Sequence, residues 1–147
     1  MKLYLDICCF NRPFDDQFQL LVRLQTEAKL AIQESIRVGN HTLIWSAILD
    51  LENASNPDSA REAAIAAWKS LAEVDVAITV IVENLATTLA NDGLKPMDSL
   101  HVASAIIAGA VCFLTTDKQI LRKMKSDSRI QVLDPVDFIR QTELTEE

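Results

Sequence analysis

Four carboxylates sit where the sequence pattern does not call for a charge. Asp6 ends the apolar run LYL, Glu52 lies in SAILDLENASNP, Asp98 in KPMDSLHVASAIIAGA, and Asp117 follows VCFLTT. Each has an ordinary explanation. Asp98 falls in the first turn of a helix opened by Pro96, where the macrodipole stabilises a carboxylate. It also lies one turn before Val102, on the side marked by Ala105 and Ile106, so it tilts inward. Glu52 follows Ile48 by four positions and tilts the same way, while Asp50 should point elsewhere into solvent. Asp6 alone leaves three readings open: a phosphate-accepting nucleophile, a metal ligand, or a strand end beside the thiols of Cys8 and Cys9. Taken together, four converging acids would repel one another unless a cation neutralised them. Hard oxygen donors of this kind suit Mg²⁺ or Mn²⁺. Such a site orients and deprotonates water and stabilises charge on a phosphodiester under in-line attack.

Other chemistries fail on spacing. A cysteine phosphatase loop built on Cys8-Cys9 needs an arginine about six residues on, where Phe14 and Asp15 stand. A haloacid-type phosphatase wants a second acid two residues after Asp6, where Cys8 stands. The chain has 3 cysteines, too few and wrongly spaced for a disulfide framework or a zinc site, which fits a reducing cytoplasm. With 3 glycines there is no Gly-rich phosphate loop. His101, three residues after Asp98, is placed to contact the cleft from the same helix face, but reads first as a packed or hydrogen-bonded residue. Trp45 and Trp68 suit core or dimer packing, since neither is interleaved with basic residues.

The elements that must position the acids follow from periodicity. Lys2–Asp6 and His41–Trp45 read as strands, with Ser46 capping the helix that carries Glu52. Between them, Leu20, Leu21, Leu24, Ala28, Ala31 and Ile32 mark a helix over Gln17–Val38, ended by Gly39-Asn40. Ser59–Ala72 is helical, Asp75–Thr79 extended and Ile81–Asn91 helical. A helix from Pro96 to about Ala108 precedes the strand Val111–Leu114 and a basic helix. Ile130–Leu133 is a last strand and Pro135–Arg140 a closing helical turn. Strands alternating with helices predict a parallel α/β sheet covered on both faces. In such a sheet ligands bind beyond the carboxyl ends of the strands where strand order reverses. Asp6 and Asp117 would face each other there if the first and fourth strands are neighbours.

The 147 residues fit one domain, and 49% apolar against 24% charged residues is a globular balance. The apolar stretches fall short of the ~18 residues of a membrane span, and no secretory signal pattern opens the chain. The net charge of −7 counts against holding nucleic acid by bulk electrostatics. It leaves a nuclease open, because acids gathered in one cleft would hold cations that offset the local field.

Over nearly its whole length the chain resembles the PIN domain family. The matching pieces are YLDICCFN, SAILDLENASNP, LKPMDSLHVASAIIAGAVCFLTTDKQI and RIQVLDPVDFI. The resemblance implies a Rossmann-like α/β/α sandwich with a mostly parallel sheet over 1–141, followed by a frayed polar tail, 142–147. It implies a Mg²⁺- or Mn²⁺-dependent endoribonuclease that leaves a 5′-phosphate and a 3′-hydroxyl. Its acids map onto Asp6, Glu52, Asp98 and Asp117, with Thr115 and Thr116 positioning a phosphate or a water, and Asn11 hydrogen-bonding nearby. Arg12, Lys95, Lys118, Arg122 and Lys123 are the cations to meet RNA phosphates. Many prokaryotic relatives are cytoplasmic toxins, usually dimeric and inhibited by a small antitoxin protein. The further acid that many relatives carry after the last one is missing from Lys118-Gln119-Ile120-Leu121, which leaves one-metal and weak-binding readings open. A PIN-like binding or assembly module with little catalysis is the alternative.

Overall fold

The computed structural model describes residues 1–146, with side chains through residue 143. Five strands, β1 (Lys2–Leu5), β2 (Thr42–Ser46), β3 (Ala72–Val76), β4 (Cys112–Leu114) and β5 (Gln131–Leu133), form one sheet in the order β3-β2-β1-β4-β5. Every pairing is parallel. β1 and β4 are neighbours, as the placing of Asp6 and Asp117 required. The order reverses between them, so the crevice beyond their carboxyl ends is the switch point.

The sheet is buried on both faces, as parallel sheets are. Leu3, Tyr4 and Leu5 on β1, Leu43, Ile44 and Trp45 on β2, and Phe113 and Leu114 on β4 all lie in the core. Among the described residues eight helices cover it: α1 (Ile7–Asn11), α2 (Leu20–Arg37), α3 (Ala47–Ala54), α4 (Ser59–Ala66), α5 (Val80–Asn91), α6 (Pro96–Ile107), α7 (Lys118–Lys123) and α8 (Pro135–Glu146). α2 packs with α8, and α5 with α6. The result is a three-layer α/β/α sandwich. Among the described residues no helix is long and apolar enough to cross a membrane.

The helix that carries Asp98 is bounded by glycines. Gly93 (φ +113°) ends α5 just before it, and Gly109 (φ +78°) ends α6 itself. At the second end Gly109 N–H donates to the Ile106 carbonyl and Ala110 N–H to that of Ala105, the paired bonds of a Schellman cap. The left-handed conformation needed there costs a side chain roughly 1–2 kcal/mol.

Several boundaries differ from expectation. Residues after Asp6, for which periodicity gave no element, form α1 and a 3₁₀ turn, Arg12–Phe14. β3 lies three residues earlier than Asp75–Thr79. α8 continues through Glu146 instead of stopping near Arg140, and takes in residues 142–146 of the expected tail; Glu147 lies outside the described residues. On α2 the apolar residues do not all face inward. Ala28 and Ile32 are buried, but Leu20, Leu21 and Leu24 are exposed, and Gln25, Lys29 and Gln33 take core-facing positions.

Candidate metal centre

Asp6 comes first because β1 ends on it. Its backbone continues the ladder, donating to the Leu114 carbonyl at 2.9 Å. Its side chain then caps α1, with Oδ1 accepting from Ile7 N–H at 2.9 Å. Oδ2 accepts from the Thr115 hydroxyl at 2.8 Å, across the switch point. Both oxygens are thus fixed, and the residue is buried. Burial pushes its carboxyl above the usual range; the charge of Glu52 adds to this, while His101, Thr115 and the Ile7 N–H oppose it.

Thr115 ties the two strand ends together. Besides holding Asp6, its Oγ1 accepts from Asp117 N–H at 3.1 Å. The Asp117 carboxylate caps α7, its Oδ1 accepting from Gln119 and Ile120 N–H at 2.8 and 3.2 Å. Thr116 is buried beside it, and its N–H meets Cys8 Sγ at 3.3 Å. The Cys8 thiol also lies 3.5 Å from Asp6 Oδ2 and 3.4 Å from Thr115 Oγ1. Cys9 is wholly buried against the Leu114 carbonyl.

Two helices bring the remaining acids. α3 starts where Ser46 caps it, Oγ accepting from Leu49 N–H, and it carries Glu52. Asp50 on the same helix points away, accepting from the Trp45 indole N–H at 2.8 Å and pairing with Lys69 at 3.0 Å. α6 carries Asp98 in its first turn. Burial, then the charges of Asp6 and Asp117, raise the Asp98 carboxyl to about 6; His101 opposes and Glu52 adds a little. That field couples Asp98 to the other three acids.

One turn further along α6, His101 enters the same cluster. Its Nδ1 lies 2.6 Å from the Tyr4 hydroxyl, which also lies 2.6 Å from Ser46 Oγ. Its Nε2 is 3.3 Å from Glu52 Oε1, yet it is buried without a hydrogen bond, because the carboxylate lies off the ring's N–H direction. One ligand atom each from Asp6, Glu52 and His101 lie within 4.8 Å of one another. The donor set, three groups around one point with a buried nitrogen left over, fits a divalent cation; Asp98 and Asp117 are not part of that group of three.

Sequence reasoning read His101 as a packed residue. It is packed and hydrogen-bonded, but it is also in the cluster. The signal was its i, i+3 spacing from Asp98, which puts both side chains on one helix face. Tyr4 carried no signal, since nothing local says which helix a strand residue will meet.

The outlying candidates divide. Asn11 shares a cleft of about 310 Å³ with Glu52, Asn56 and Arg61. Arg12 is engaged structurally: it donates to Gln25 at 2.8 Å and Asp15 at 2.7 Å, and Gln25 in turn donates to Asp134. Lys123 donates to the Gly93 carbonyl. Lys95, Lys118 and Arg122 are exposed and make no ion pair among the described residues. Two roomier hollows, of about 410 and 480 Å³, lie elsewhere, one at the opposite ends of β4 and β5 and one beside α8.

No protein-family model matches the chain, and no curated protein matches it in sequence. In structure it is similar to a chain of VapBC2 from Rickettsia felis, solved bound to a DNA fragment from their promoter. The match has a TM-score of 0.55 at 14% identity, and covers 90% of this chain and 97% of that one. At that identity the likeness is one of fold alone.

Proposed function

We propose that the protein is a metal-dependent endoribonuclease of PIN-like type, using Mg²⁺ or Mn²⁺ held by Asp6, Glu52, Asp98 and Asp117. The observation that carries this reading is the grouping of Asp6, Glu52 and His101, with one ligand atom each within 4.8 Å of one another, beside an Asp98 carboxyl that burial and three other acids push up to about 6. A cation bound there would offset the acids, lower the pKa of an attacking water and stabilise charge on the phosphodiester. Thr115 holds Asp6 in one orientation, and Lys95, Lys118 and Arg122 stand exposed to meet the RNA backbone. The deciding experiment is RNA cleavage in Mg²⁺ or Mn²⁺ by wild type and by the Asp6→Asn/Asp98→Asn double variant. Cleavage by wild type that the double variant loses supports the assignment; equal rates overturn it.

A toxin role fits the fold likeness to VapBC2 and the apolar surface along α2, where Phe18 is 98% exposed beside Leu20, Leu21 and Leu24. That surface suits a second copy of the chain or a small antitoxin. Growth arrest on expression, abolished by Asp6→Asn, would support it, and harmless expression would count against it.

The net charge of −7 and the engagement of Arg12 and Lys123 within the fold favour a second reading, a binding or assembly module. Calorimetry with Mn²⁺ separates the two, since a module needs neither ion binding nor cleavage.

A further inference from the structure

The geometry points to His101 Nε2 as a direct nitrogen ligand in the cation site, oriented by a Tyr4–Ser46 relay and tilting the site toward transition ions over Mg²⁺. This rests on the metal reading above and adds to it a ligand that the acid pattern does not contain.

Two features of the ring argue for it. Nε2 is buried, makes no hydrogen bond and lies 3.3 Å from Glu52 Oε1, in the group that also holds Asp6. A buried polar nitrogen without a hydrogen bond costs about 1–3 kcal/mol, so a fold that keeps one has a use for it or loses stability. The other nitrogen is held. Tyr4 is itself fixed, stacked on Phe113 with ring centroids 5.2 Å apart and set edge-on to His101 at 5.9 Å.

The relay has only two proton arrangements. In one, Ser46 donates to Tyr4 and Tyr4 donates to Nδ1, which leaves the proton on Nε2. In the other, Nδ1–H donates to Tyr4 and Tyr4 donates to Ser46, which leaves a lone pair on Nε2. The second arrangement presents a ligand, and a metal-bound histidine is commonly held in this way through its other nitrogen. Ser46 serves both arrangements because a hydroxyl rotates to suit. The competing account is that His101 is a counter-charge for Glu52 and Asp6, doing what the cation would do.

Nitrogen is the chemical difference. Mg²⁺ takes oxygen ligands almost throughout, whereas imidazole rewards first-row transition ions, and Mn²⁺ is the first of these that also accepts carboxylates.

The test uses Mn²⁺ alone with the full chain, read by electron spin-echo envelope modulation. The chain has 2 histidines, His41 and His101. We expect ¹⁴N modulation from bound Mn²⁺, converted to a ¹⁵N pattern when wild type is grown on ¹⁵N-histidine, retained in His41→Gln and lost in His101→Gln. The labelled wild type needs no substitution, so a failure of His101→Gln to fold leaves the test intact. Tyr4→Phe should weaken Mn²⁺ binding by about tenfold while Mg²⁺ binding moves less. Bound Mn²⁺ without histidine modulation overturns the ligand role and leaves the four-acid site standing. Absence of any bound Mn²⁺ overturns both.

Discussion

At the residue scale the site is defined by strain between charges, and Asp98 is where that strain is measurable. Its folded carboxyl sits near 6, above the ordinary value of 3.8. The folded state therefore holds the proton more tightly than the unfolded chain, and the group's contribution is complete below about pH 4 and is lost as pH rises through 6. Asp98→Asn does not titrate. In chelator-treated protein it should match wild type at pH 4 and exceed it at pH 7, by about 1–2 kcal/mol once solvent screening is allowed for. Thermal melts across that range check this, and a constant difference between the two proteins would sink it. With saturating Mn²⁺ the order should invert at pH 7, because the variant has lost a ligand. The acids themselves were legible in the sequence because each interrupts an apolar pattern. His101 was not, because histidine on an apolar helix face is compatible with plain packing, and its meaning depends on Tyr4, 97 residues away.

At the element scale, positions failed to be legible where an element is half-buried or faces something beyond the fold. β3 is an edge strand with only alternate residues turned inward, Ala72, Val74 and Val76, and its register against β2 shifts between Leu43 and Ile44. The more apolar run after it drew the expected strand downstream, but Thr79 caps α5 there and Val80 and Ile81 are exposed. α2 misleads in the same way, with leucines outside and Lys29 inside. The Lys29 ammonium lies 5.4 Å from the Phe10 ring centroid and 5.5 Å from that of Trp68, without an acceptor among the described residues. Burial lowers it to about 8. The unfolded chain binds this proton more tightly, so the residue costs stability below pH 8, and the cost fades as pH rises toward 10.5. Lys29→Met should accordingly stabilise the fold at pH 7, by up to roughly 3 kcal/mol, and by little at pH 10. Denaturant titration at the two values is the check. Gly109→Ala should lower stability by about 1–2 kcal/mol, seen as a shifted midpoint at unchanged slope.

At the scale of the whole molecule, the alternation of strands and helices gave the fold class directly, whereas the 3-2-1-4-5 order was left open, because the right-handedness of such crossovers fixes the face each connection covers and not which strands are neighbours. What it could not give was the molecule's outer face, because exposed apolar residues read from sequence as core. Leu20 and Leu24 lie one turn apart on that face. If the face joins two copies, wild type should sediment as a dimer and Leu20→Asp/Leu24→Asp as a folded monomer. A wild type that is monomeric at high concentration would contradict this.

The central place of β1 has a consequence in time. The ribosome makes Asp6 long before Thr115 and Asp117, and until β4 arrives β1 has an open edge and the Asp6 carboxylate has no hydroxyl to hold it. Closing that 109-residue separation costs roughly 4 kcal/mol of chain entropy beyond a fixed term, so it happens late and with the rest of the fold. A nascent chain stalled before β4 therefore carries three of the four acids and no assembled cluster. A ribonuclease of the kind proposed above would on this plan be inactive until Thr115 and Asp117 had been made and β4 had joined β1.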